Sequence, residues 1–272
     1  MLATIAVSQP NTEVYLFDLD LSNEGAPLSN PVNISENPGY DNQPSFWPDG
    51  KSILYARTIE GQTEIARYFI KGGKTKIITD TKQGSEYSPT PTPDGNISSI
   101  RLDTTGLQLL YSYDLKGRAR VLVPDLVIGY HVWIAPNQLV SFVLGEPNTM
   151  QWINVETNEK KTLAENIGRS LHKIPNSKHF SYVDKSGDTW LIKSMNMTTG
   201  ESTTLIETIS GAEDYCWTPG GVIIMGKDSK LYRGMGEGEW QEFFDLETYG
   251  LGGITRVAVS PDGNQLVLVV NQ

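Results

Sequence analysis

Four side chains in this sequence have the chemistry for acid–base work or for holding a metal: His131, His172, Glu213 and Asp214. Histidine titrates near neutral pH and is a common metal ligand, and carboxylates complete sites for hard cations. No local spacing of the H-x-x-x-H kind links the histidines, so any shared site must be assembled by the fold. All four sit three to six residues upstream of a proline that recurs as Pro48, Pro93, Pro136, Pro175, Pro219 and Pro261. Five positions before each stand Gln43, Ser88, His131, Ser170, Asp214 and Arg256. Six before stand Asn42, Tyr87, Tyr130, Arg169, Glu213 and Thr255, with Asp41 and Glu86 one residue further back. None of these is aliphatic, whereas the next position inward holds Pro44, Pro89, Val132, Leu171, Tyr215 and Val257. A polar ring of this kind reads as a funnel that binds a ligand or a partner's peptide. Loop-to-strand transitions that are merely polar give the same pattern. The candidate binding set is Asp41, Asn42, Gln43, Glu86, Tyr87, Tyr130, His131, Arg169, Ser170, Glu213, Asp214 and Arg256, with no complete catalytic constellation and no metal or cofactor expected.

Other chemical signals are weaker. Cys216, between Tyr215 and Trp217 in an apolar strand, reads as a small buried residue rather than a nucleophile. Gly234-Met235-Gly236-Glu237-Gly238 is not followed by a helix and so is no dinucleotide loop. Trp47, Trp133 and Trp217 fall at nearly the same place in the repeat, as core packing requires.

The elements that must position these residues are read from the same repeat. The gaps between the prolines are 45, 43, 39, 44 and 42 residues. Around each lies an apolar strand, a tight turn such as Pro48-Asp49-Gly50, and a second strand such as Ile53–Ala56. A period of that length built from strands signals a β-propeller. The expected fold is all-β, a six-bladed propeller of four-stranded antiparallel blades, with almost no α-helix. One domain over 1–272 is expected, with blades at about 40–83, 85–127, 128–166, 167–208, 209–248, and 249–272 together with 1–37. The last unit stops after two strands, while residues 12–19 and Val32–Ser35 supply two more at the start, after a turn-rich stretch from Asp20 to Pro31. Pairing of the N- and C-terminal strands then closes the ring and removes a free sheet edge. Ala3–Ser8 reads as one strand too many.

The net charge is −10, and the nearest approaches to a phosphate-tracking basic stripe, Lys71–Lys76 and Lys160-Lys161, are short and lie in expected turns, so no nucleic acid or anionic membrane is expected as a partner. No apolar run is long enough for a transmembrane helix, and no signal peptide precedes the first strand. With a single cysteine the fold must stand without an internal disulfide.

The segment Pro44-Ser45-Phe46-Trp47-Pro48-Asp49-Gly50 resembles the repeat motif of TolB-like propellers. Ile53-Leu54-Tyr55-Ala56, Thr63-Glu64-Ile65-Ala66, Thr12–Leu19 and Val259-Ser260-Pro261-Asp262-Gly263 extend the likeness, while units three to five keep the period, a proline and the apolar pattern. The motif is a structural signature. It implies partnership with envelope lipoproteins, a role as the non-catalytic domain of prolyl-oligopeptidase-type peptidases, or occasionally lyase activity. The Gly-x-Ser-x-Gly elbow of those peptidases is missing. The resulting expectation is a monomeric, non-catalytic binding module in the periplasm or outside the cell, its channel mouth presented to a protein or peptide. A small-molecule site or a metal-assisted lyase or hydrolase using His131 and His172 in the same mouth is the alternative.

Overall fold

A computed structural model of the chain describes residues 9–234 and 238–272. The surplus strand expected at Ala3–Ser8 and the centre of the Gly234–Gly238 run lie outside those residues. Six four-stranded antiparallel sheets form the molecule. The innermost strands of blades 1 to 6 are Asn42–Phe46, Gly84–Pro91, Ile128–Ala135, Ile167–Lys173, Tyr215–Trp217 and Arg256–Val259. In blades 1 to 5 the other three strands follow in sequence order, each hairpinned onto the last.

Blade 6 is the closure. Its order from the axis outward is Arg256–Val259, Gln265–Asn271, Thr12–Leu19 and Leu28–Asn33. Thr12 pairs with Asn271 and Asp18 with Gln265 in an unbroken antiparallel register. Leu266, Val267, Leu268, Val269 and Val270 are all fully buried, because blade 5 covers one face of this strand and blade 1 the other. A strand buried on both faces is a continuous apolar run, which is how it reads in the sequence.

The outermost strand of blade 6 begins at Leu28, inside the stretch expected to be turns. Leu28 is buried against Phe17 and Leu19, and that burial extends the pairing back to Leu19 and Leu28. Pro31 is tolerated there because an edge strand leaves half of its N–H groups without a partner strand. Helix is confined, among the described residues, to one 3-10 turn at Leu246–Tyr249 capped by Asp245.

The core lies between blades. One apolar cluster fills each of the six junctions, such as Val14, Leu16, Val267 and Val269 against Ile53, Tyr55 and Tyr68 between blades 6 and 1. The innermost-strand tryptophans border these seams half-buried. Trp133 donates to Ser98 Oγ (2.9 Å) and Trp217 to Ser181 Oγ (2.8 Å), each on the preceding blade. The repeated turn works through its last residue: Gly50 has φ +69° and its N–H returns to the Trp47 carbonyl. In blade 4 the left-handed residue is Asn176, one position nearer its proline, at φ +56°. No helix among the described residues is long and apolar enough to cross a membrane.

Candidate functional site

The innermost strands do not run straight into the channel. Ladder register shifts between Asn42 and Ser45, Tyr87 and Thr90, Ile128 and Tyr130, and Ile167 and Leu171. A bulge bends its strand and re-aims side chains. In blades 1 and 2 the bulge places Gln43 (φ +56°) and Ser88 (φ +51°) in the left-handed region, at equivalent repeat positions. Such a conformation costs a residue with a Cβ about 1–2 kcal/mol. Here Gln43 Oε1 accepts the Ser88 backbone N–H at 2.8 Å, tying blade 1 to blade 2 beside the axis.

Seven of the twelve sequence candidates line the central cavity of about 530 Å³: Gln43, Tyr130, His131, Arg169, Ser170, Asp214 and Arg256. Asp214 of blade 5 is the hub of a polar cluster. Arg169 of blade 4 forks onto it, with Nη2 on Oδ2 and Nε 3.2 Å from Oδ1. Arg256 of blade 6 donates Nη1 to Oδ2 at 3.1 Å and to the Thr255 carbonyl at 2.6 Å. Arg256 Nη2 lies 3.5 Å from the Tyr130 hydroxyl of blade 3. Arg169 is held firmly in its charged form, because the bond and charge of Asp214 outweigh the desolvation that opposes them. Deeper in the channel the wall turns apolar, with Phe46, Val132, Leu171, Trp217 and Val257.

The other five candidates do not line the cavity. Glu213 stands behind Arg169, accepting its backbone N–H at 3.0 Å and pairing with Lys185 at 2.8 Å. Tyr87 is at the rim, where its hydroxyl accepts from Gln9 and its ring meets Tyr40 edge-on at 6.2 Å. Asn42 is buried within reach of Thr12 (3.4 Å). Asp41 and Glu86 are fully buried at the junctions of blades 6/1 and 1/2, each close to a glutamate from the preceding blade, Glu13 and Glu64. Both junctions use one design. Glu13 accepts the Asn37 N–H and Asn37 reaches Asp41, while Glu64 accepts the Thr81 N–H and Thr81 reaches Glu86. Burial, first, pushes Asp41 up to about 6 and Glu86 up to about 7, with the neighbouring glutamate adding to it in each case. These two are packing acids, turned away from the axis.

Burial pushes His131 and His172 down to about 4, so both are neutral at pH 7. His131 Nε2 meets Ser98 Oγ at 2.7 Å, and its Nδ1 has no partner among the described residues. His172 packs against the Tyr215 ring at 4.7 Å. Among the described residues, no three His, Cys, Asp or Glu side chains gather at metal-ligand spacing. Cys216 is buried, and its thiol is pushed well above the ordinary range.

Tyr40 is the mouth residue that sequence reasoning missed. Burial pushes its phenol up to about 12, with the charges of Arg256 and Arg169 and the phenols of Tyr130 and Tyr87 acting on it. It lies one position upstream of Asp41, so a wider window before Pro48 takes it in. Phe46 and Trp217 were also missed as lining residues, because they sit on the apolar side of the strand pattern.

Six blades around a lined axial cavity make this chain a six-bladed β-propeller. No family model matches the sequence, and no curated protein does either. Among solved structures, a protein assigned as TolB from Agrobacterium tumefaciens superimposes with a TM-score of 0.77 at 14% identity, over 97% of this chain and 99% of that one. TolB from Acinetobacter baumannii gives 0.60 at 14% identity, over 96% of this chain and 64% of that one. A gluconolactonase from Xanthomonas campestris gives 0.68 at 8% identity, over 97% of each chain. Within its class the chain has the TolB-like propeller fold, which that range of neighbours shows to be shared by proteins of unlike activity.

Proposed function

We propose that the chain acts as one non-catalytic binding module, presenting the mouth of its central channel to a protein or peptide partner in the periplasm or outside the cell. The observation that carries this reading is the cluster of Tyr130, Arg169, Asp214 and Arg256. Four blades contribute one side chain each to one point on the axis. Six interlocked sheets hold these groups in place before a partner arrives, which lowers the ordering cost of binding. The TolB neighbours agree with such a role, and an envelope lipoprotein is the kind of partner that the resemblance implies. A net charge of −10 disfavours nucleic acid as the partner.

The test is an affinity capture from envelope and cytosolic extracts with the wild type and with a Tyr130→Ala, Arg169→Ala, Arg256→Ala triple variant shown by circular dichroism to be folded. One protein retained by the wild type and lost by the variant supports the reading and names the compartment. Equal capture by both refutes it. Capture of nothing, together with stoichiometric metal lost on His131→Ala, moves the assignment to a metal-assisted lyase or hydrolase in the same channel.

A further inference from the structure

The mouth carries one cation more than its acids use. Glu213 and Asp214 face Arg169, Lys185 and Arg256. Arg169 spends its fork on Asp214, and Lys185 neutralises Glu213 at 2.8 Å. Arg256 shares Asp214 through Nη1 alone. Among the described residues its Nη2 has one hydrogen-bond partner, the Tyr130 hydroxyl, at a distance that is long for a hydrogen bond. In a chain of net charge −10, an excess positive charge inside the axial cavity is a local departure that needs a use.

The position of these two donors defines that use. Blades 3 and 6 face each other across a six-membered ring, so Arg256 Nη2 and Tyr130 Oη meet over the axis itself. Both line the cavity, and Asp214, already doubly bonded, is the one carboxylate that lines it among the described residues. Two donors 3.5 Å apart with a surplus positive charge match the two oxygens of a carboxylate. Beyond them, Phe46, Val132, Leu171 and Trp217 offer an apolar wall for neighbouring side chains.

We propose that Arg256 and Tyr130, with Arg169 fixing Asp214 beside them, form a carboxylate receptor on the channel axis. The partner then inserts a peptide segment that presents a C-terminal carboxylate or an acidic side chain. This rests on the binding-module reading above and adds the chemical group recognised.

The experiment uses pools of random hexapeptides passed over immobilised full-length protein, with retained peptides identified by mass spectrometry. One pool has free C-termini, a second is C-terminally amidated, and a third is amidated and lacks Asp and Glu. The carboxylate receptor retains the free-acid pool about tenfold or more over the third pool, the gain expected of a charge-assisted bidentate contact. Preference for the free acid over the amidated pool assigns the group to a chain terminus. Equal retention of the first two over the third assigns it to a side chain. Arg256→Gln and Tyr130→Phe each remove the preference, and Tyr130→Phe keeps the ring and with it the packing on Phe142. Equal retention of all three pools, lost in the mouth triple variant, overturns the carboxylate receptor and leaves the binding module standing. Retention of no pool overturns the receptor, and the extract capture then decides the wider reading alone.

Discussion

Glu86 is a carboxyl group held where its charge is unwelcome, and replacing it with glutamine isolates that effect. Glu86 is fully buried, its Oε1 accepts from Tyr113 (2.9 Å) and Thr81 (2.7 Å), and its Oε2 has no donor among the described residues and lies near the Glu64 carboxyl. Burial, reinforced by Glu64, pushes it from 4.5 up to about 7. A folded-state value above the unfolded one means that its contribution to stability is fully present below about pH 4.5. That contribution is lost as pH rises through about 7. At about 1.4 kcal/mol per tenfold change in proton affinity, the ionised fold at pH 8.5 forgoes roughly 3 kcal/mol. Glutamine copies the protonated acid: its Oε1 keeps the two accepted bonds and its amide can donate toward Glu64. Glu86→Gln should therefore melt within about 2 °C of the wild type at pH 4.5 and roughly 5–10 °C above it at pH 8.5. The assay is thermal unfolding followed by circular dichroism across that pH range. A variant equal to or less stable than the wild type at pH 8.5 refutes the reasoning, because the charge then costs the fold nothing.

Three further outcomes follow from the same geometry. His131 is depressed to about 4 by burial, so it supports the fold above about pH 6.5 and that support is lost as pH falls through about 4. His131→Gln should thus gain roughly 2–3 kcal/mol relative to the wild type between pH 7 and pH 4.5 in urea titrations. Gly168→Ala puts a Cβ 2.6 Å from Glu213 Oε2 and 2.9 Å from Val183 Cβ. It should cost about 1–3 kcal/mol, measured as a lower urea midpoint, and loosen the Glu213 contact with Arg169. Removing 265–272 deletes the strand that joins Thr12–Leu19 to Arg256–Val259, and cooperative thermal unfolding should vanish.

Much of the fold was legible because it is written in turn chemistry. A proline with Asp-Gly, Asn or Gly-Gly after it marks the same hairpin six times, and the two half-blades at the ends have no other way to bury Leu266–Val270. The site was legible in part. Counting back from the proline finds the axis in blades 3 to 6, where Tyr130, Arg169, Asp214 and Arg256 converge. In blades 1 and 2 it reaches the axis at Gln43 and Ser88, both left-handed, while Asp41 and Glu86, two residues further back, are buried at the blade junctions. A one-residue change of register moves a side chain to the other face of a strand. Nothing in the identity of Gln43 or Ser88 announces a positive φ, since neither is a glycine or an asparagine. The excess of Arg256 over its acids was likewise hidden, because it depends on Arg169 and Lys185 reaching across to blade 5.

The central claim is that the partner docks on the axial mouth rather than on the outer strands. A photo-crosslinking side chain at Tyr87, on the rim beside Tyr40, and another at Val121, exposed on the outer strand of blade 2, separate the two surfaces in intact cells. The account predicts one discrete crosslinked protein from position 87, abolished by adding Arg169→Ala and Arg256→Ala, and none from position 121. A crosslink from position 121 with none from position 87 would contradict it.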